Sequence, residues 1–215
     1  RVQTCALPIY AATIALTDTK ASTNITFSDN VTATTGLTVS AGTGAYNVIF
    51  NGASNTIAGA TTFSNTGSVT LGNDATDSIQ FTGGVVATAP SQVNLAGTIK
   101  ATNSAISLGD SNTPIVLTAN TTVDGNTSGN ITLGGTVNGA YALTLNTTGT
   151  TTLSSTVGNS AALTSITTNA GGTVVINGGA VTTTGSQTYN DAATDRKSTR
   201  LNSSHIPLSR MPSSA

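Results

Sequence analysis

The chain has 215 residues, with 7% charged and 4% aromatic side chains, and it contains neither Glu nor Trp. An average soluble domain is about one quarter charged, and exposed helix faces draw on Glu, Lys, Arg and Gln, so a helical protein is excluded. Polar positions hold Thr, Asn, Ser and Gly instead, which favour strands and turns, and the expected class is all-β. Between residues 10 and 194 two lysines, Lys20 and Lys100, face seven aspartates, a net charge of −5; with no basic stripe to neutralise phosphates, nucleic acid and anionic membranes are not expected partners.

Taken in chain order, the first segment is RVQTCALPI at 1–9, which holds Cys5. Together with DRKSTRLNSSHIPLSRMPSSA at 195–215, which holds His205, Met211 and most of the basic residues, it lacks the Thr/Gly/Asn texture of the body. Both ends resemble translated sequencing-adapter DNA, so they are set aside as non-native segments and the native chain is expected to run past both boundaries. Cys5 and His205 are accordingly not assigned as nucleophile, base or metal ligand. The alternative for 195–215 is a genuine basic tail without fixed structure.

From residue 24 onward, apolar pairs recur with one residue between them: Ile25/Phe27, Leu37/Val39, Val48/Phe50, Val69/Leu71, Ile79/Phe81, Val93/Leu95, Ile106/Leu108, Ile115/Leu117, Ile131/Leu133, Leu143/Leu145 and Val174/Ile176. A period of two predicts strands with one buried face. NGASN, LGND, DGNTSGN and INGG supply turns between them. No apolar run approaches the roughly 20 residues of a membrane-spanning helix.

The pairs beginning at 25, 48, 69, 93 and 115 lie 23, 21, 24 and 22 residues apart, and a second series runs 79, 106, 131, then Leu153 and Val174. NITFSDNVTATTGLTV at 24–39 also aligns without gaps with NITLGGTVNGAYALTL at 130–145. A period near 22 residues with an internal copy predicts a β-solenoid, a parallel β-helix of about eight coils with two strands per coil. An antiparallel sandwich is the competing fold, since strands every 8–12 residues suit it as well.

ALTLNTTGTTTLSSTVGNSAALTSITTNAGGTVVINGGAVTTTGSQTYNDA, residues 142–192, resembles the repeats of large bacterial surface exoproteins of the filamentous-haemagglutinin type and of autotransporter passenger-like adhesins. The earlier repeats resemble weaker copies, so the likeness covers most of 24–193. It implies a right-handed parallel β-helix, secretion across the outer membrane, an extracellular or cell-surface location, and attachment to a host or environmental surface through a glycan or protein receptor. The family's secretion domain and terminal caps are not recognisable in these residues.

Few residues suit chemistry. The body lacks His, Cys, Glu and Arg, and its best acidic pair is Asp74 and Asp77 in GNDATDS. Two carboxylates three apart suit Ca²⁺ or acid–base work on a carbohydrate; the plainer reading is a solvated turn. Lys100 reads as an isolated exposed charge. The GGxGxD calcium repeat is absent, with LGND at 71–74 and LGDS at 108–111 only faint echoes of it. Gly83/Gly84, Gly134/Gly135, Gly171/Gly172 and Gly178/Gly179 lack the Lys-Ser/Thr of a phosphate loop and read as turns.

Tyr46, Tyr141 and Tyr189 are candidates either for stacking on a glycan or for closing a thin core. The sequons at Asn24, Asn120, Asn130 and Asn146 follow from composition, and no glycosylation is read from them. Thr148, Thr150, Thr152, Thr182 and Thr184 are candidates for an ice-binding hydroxyl array. The expectation is a non-enzymatic structural or adhesive stalk with no cofactor, acting by multivalent contacts and self-associating through exposed solenoid ends. A carbohydrate-active β-helix enzyme and an ice-binding solenoid are the alternatives.

Overall fold

The computed structural model describes residues 3–18 and 20–195. His205, Met211 and the basic residues from Arg196 to Arg210 lie outside the described residues. Among those described there is no helix, and every strand-to-strand pairing is parallel. The chain is a β-solenoid of about 8 turns at roughly 23 residues each. The competing antiparallel sandwich is thereby excluded.

Register resolves three stacked faces per coil, where spacing alone had suggested two. On the first face, Gln3–Cys5 pairs with Asn24–Phe27, and the series continues through Asn47–Phe50, Ser68–Leu71, residues 92–95 and 115–117, and Val137–Asn138. The second face stacks residues 9–11 and 31–33 under Ser54–Ile57, Ser78–Phe81, residues 98–101 and 121–124, Ala142–Asn146, Ser165–Thr168 and Gln187–Tyr189. The third begins with 13–16 and 36–39. It continues through Thr61–Thr62, Val85–Ala87, Ile106–Leu108, Ile131–Leu133, Thr150–Leu153, Thr173–Ile176 and Ala192–Asp195. Gln3–Cys5 and the start of Ile9–Leu16, within the segment set aside above, thus occupy the first coil.

This assignment corrects the second sequence series. Ile79 stands on the second face, whereas Ile106, Ile131, Leu153 and Val174 stand on the third. The gapless internal copy is likewise displaced by one face: Ile25 on the first matches Ile131 on the third, and Leu37 on the third matches Leu143 on the second. The faces present the same alternating chemistry, so a repeat can recur on any of them.

The alternating pattern is the reason these segments are strands. In every apolar pair named above both side chains point inward and are buried, Ile176 alone being only partly so. Burying each such Val, Leu or Ile is worth about 1.5–3 kcal/mol. All four phenylalanines lie inside: Phe27 stacks on Phe50 at 4.7 Å, and Phe50, Phe63 and Phe81 meet edge to face at 6.5 and 6.0 Å.

Corners are held by polar side chains reaching one coil away. Asn47 Nδ2 donates to Asn24 Oδ1 at 2.8 Å, and Asn47 Oδ1 accepts from Ser68 N at 2.7 Å, linking three successive coils. Asn30, Asn103, Asn120 and Asn138 similarly accept backbone N–H groups from the following coil. Gly97, at φ 69°, is required at its corner because a Cβ there would overlap the Asp77 carbonyl oxygen, which accepts from Thr98 N at 2.7 Å.

Candidate functional site

Asp74 and Asp77 lie in the corner between Ser68–Leu71 and Ser78–Phe81. Asp77 is buried and its Oδ2 accepts from the backbone N–H groups of Asn73 and Asp74 at 2.9 and 3.0 Å. Asp74 is exposed, and its Oδ1 accepts from Thr76 N at 3.0 Å and Thr76 Oγ1 at 2.9 Å. Those bonds, first that from the Thr76 backbone and then that from its hydroxyl, hold the Asp74 carboxyl below the ordinary carboxylate range. Both carboxylates are therefore engaged with their own turn. Among the described residues no three His, Cys, Asp or Glu side chains gather as a metal site.

Lys100 is not isolated. Its Nζ lies 3.7 Å from Asp124 Oδ2, and the two residues are register partners on adjacent coils of the second face.

Tyr46 is completely buried, its hydroxyl oxygen 2.5 Å from the Ser40 carbonyl and 3.2 Å from that of Leu16. Burial, reinforced by the charge of Asp18, raises its pKa. Tyr189 is partly buried against the core and is also raised by burial. Tyr141 keeps 39% of its surface. The core-closing reading thus holds for Tyr46 and for the ring of Tyr189.

The sequon residues Asn24, Asn120 and Asn130 hold coils together through their side-chain oxygens, which accept from Asn47 Nδ2, Ala142 N and Thr150 N. Asn146 stands on the second face beside Asp124. The glycine pairs sit at corners, with Gly84, Gly171 and Gly179 at positive φ. Cys5 is half-buried, and its Sγ lies 3.5 Å from the Leu7 carbonyl oxygen.

The threonines singled out as an array do not form one. Thr150 and Thr152 point outward on the third face, and Thr148, just before them, bonds the Thr127 carbonyl oxygen through its hydroxyl. Thr182 follows Val181, which stacks on Val157 in the first-face series, and Thr184 lies in the turn beyond.

Register shows a different hydroxyl array. On the second face Ser54, Ser78, Thr98, Thr122, Thr144, Thr167 and Thr188 are successive partners, one per coil, and all retain solvent exposure. Adjacent coils lie about 4.8 Å apart, so the file runs about 29 Å along the axis. Among the described residues none of the seven hydroxyls hydrogen-bonds within the protein; Thr70 and Thr150 on other faces do, accepting from Asn94 and meeting Thr173, while Ser107, Thr132 and Thr152 on the third face form a shorter rank equally without internal bonds. The neighbouring rank on the same face is Thr56, Gln80, Lys100, Asp124 and Asn146. The third face breaks its rank with Val86 and Val175, and the first with Ile49 and Val116.

Sequence reading missed this file because Ser and Thr recur throughout the body, so members at intervals of 24, 20, 24, 22, 23 and 21 residues do not stand out as the sparser apolar pairs do. Each of the seven precedes an inward residue of the second face, namely Asn55, Ile79, Ile99, Val123, Leu145, Thr168 or Tyr189, and only the register separates that residue from its neighbours. Comparison with protein-family models, with curated proteins and with solved structures gives no match.

Proposed function

We propose that this chain is a stalk segment of a secreted bacterial surface protein, acting structurally and adhesively rather than as an enzyme. The single observation that supports this most is the unbroken stack of parallel coils around one narrow apolar interior, with the polar side chains disposed along the outside. A stacked solenoid gives reach without a large core, and repeated outer rungs give many equivalent weak contacts whose sum is avidity. The resemblance of 142–192 to filamentous-haemagglutinin-type repeats supports the extracellular setting. Engagement of Asp74 and Asp77 by their own turn supports a structural role for the pair.

The test is adhesion of beads carrying the chain at graded density to host cells or abiotic surfaces. Adhesion rising more steeply than density is expected. Absence of adhesion at every density, or turnover of a polysaccharide that disappears in Asp74→Asn with Asp77→Asn, contradicts the reading.

A further inference from the structure

We propose that the hydroxyl file on the second face is a docking line for a neutral, unbranched polysaccharide lying along the solenoid axis. The inference rests on the adhesive role above and names its ligand class. Each Ser or Thr hydroxyl is both donor and acceptor, so it pairs with a sugar hydroxyl in either sense and leaves no unpaired charge. Seven such groups stand in register without internal partners, Ser54 and Thr188 exposed and the five between them partly so.

The surroundings specify the ligand. The file carries no charge, and beside it Lys100 and Asp124 neutralise each other, so an anionic polymer finds no excess of cations. Large exposed hydrophobics among the described residues are Leu7, Tyr10, Val86 and Tyr141; none belongs to the file, and Tyr10, which continues the adjoining rank below Thr56 through Thr32, is a single ring two coils further down, so the clustered apolar anchors of a protein interface are absent from the file. The adjoining rank runs from short Thr56 through long Gln80 and Lys100 to shorter Asp124 and Asn146. Side chains of such uneven height do not make the plane that a crystal lattice of ice needs, but they form one wall beside a polymer chain and add amide donors and acceptors to it. Contacts repeated once per coil are individually weak and accumulate along the line.

The test is co-sedimentation of the full 215-residue chain with insoluble cellulose and chitin, with heparin beads as the anionic control. The chain is expected on one or both neutral polymers and not on heparin. The triple variant Thr122→Val, Thr144→Val, Thr167→Val is expected to lose roughly tenfold or more in affinity, the scale of a few lost hydrogen bonds. Ser107→Ala with Thr132→Val and Thr152→Val on the third face should leave binding unchanged. Circular dichroism and the thermal midpoint verify that both triples keep the fold.

Equal losses in the two triples, or an unaffected second-face triple, overturn the docking line. Failure to bind either polymer while bead adhesion persists overturns it and leaves the adhesive role standing; failure of both removes both. Inhibition of ice recrystallisation that depends on the same three threonines, without polysaccharide binding, also overturns it and assigns the file to ice.

Discussion

Lys100 and Asp124 face each other across adjacent coils at 3.7 Å, with 38% and 22% of their side chains exposed. In an in-register stack any charge stands about 4.8 Å from the next coil's residue, so the sign of its neighbour decides its effect. An exposed pair contributes about 0–1 kcal/mol, and Lys100→Met should therefore change stability by no more than about 1 kcal/mol. Lys100→Asp stacks two carboxylates and should destabilise the chain by about 1 kcal/mol at low salt. Denaturant titrations near 1 M salt, where the screening length is about 3 Å, should recover most of that loss.

Two hydroxyls stand where the core wants hydrocarbon. Thr61 and Thr151 point inward on the third face, in register with Val85 and with Ile131 and Val174, and their buried Oγ1 atoms have no hydrogen-bond partner. Leaving such a group unsatisfied costs about 1–3 kcal/mol, so Thr61→Val and Thr151→Val should each stabilise by about 1 kcal/mol. The denaturant midpoint should rise with an unchanged slope. A lower midpoint would mean that these hydroxyls have partners.

Asn55 is the opposite case, a buried amide whose bonds are made. Its Oδ1 accepts from Val31 N at 3.0 Å and its Nδ2 donates to the Gly52 carbonyl at 2.7 Å. Asn55→Leu strands both backbone groups and should cost about 3 kcal/mol. Asn120, which holds Ala142 N from an exposed position, can be replaced there by water, and Asn120→Ala should cost about 1 kcal/mol or less. Equal costs at the two sites would show that burial does not set the strength of these coil-to-coil staples.

Tyr46 imposes an alkaline limit. Its folded pKa lies above the ordinary tyrosine value, so the folded state holds the phenolic proton more tightly than the unfolded chain does. The sign follows from linkage: stability is fully present below about pH 10 and falls as pH rises from there through the folded pKa. Tyr189 acts in the same direction. Tyr46→Phe should flatten the alkaline decline without abolishing it, while lowering stability near neutral pH by about 1 kcal/mol through loss of the hydroxyl's contact with the Ser40 and Leu16 carbonyls. Parallel denaturation curves from pH 8 to pH 11 check both parts.

Acting in the other direction, Asp74 has a folded pKa below its unfolded value, so its contribution is present above the ordinary carboxylate range and is lost in acid. Its full exposure keeps that contribution small.

The strands were legible in the sequence because alternation depends only on which side chains are apolar, and the coil was legible because Ile25, Val48, Val69, Val93 and Ile115 stack in one series. The number of faces was not. Ile79 and Ile106 carry the same local pattern on different faces, and only the partner across the sheet separates them. The same ambiguity scattered the threonines: Thr152 and Thr182 look alike in sequence and stand on different faces, while Thr98, Thr122 and Thr144 form one file from dissimilar contexts. Lys100 looked isolated because its partner is 24 residues away. Asp77 read as part of a solvated turn, although it is buried, because nothing in GNDATDS shows which carboxylate turns inward onto the backbone.

The three-faced register is the claim on which the rest depends, and disulfide trapping tests it most directly. In a Cys5→Ser background, Thr122→Cys with Thr144→Cys joins register partners on one face, whereas Thr122→Cys with Thr132→Cys joins residues nearer in sequence but on different faces. Bridging requires Cα atoms within about 7 Å. Rapid oxidation of the 122/144 pair and none of the 122/132 pair is expected; oxidation of the second pair without the first would refute the three-faced register.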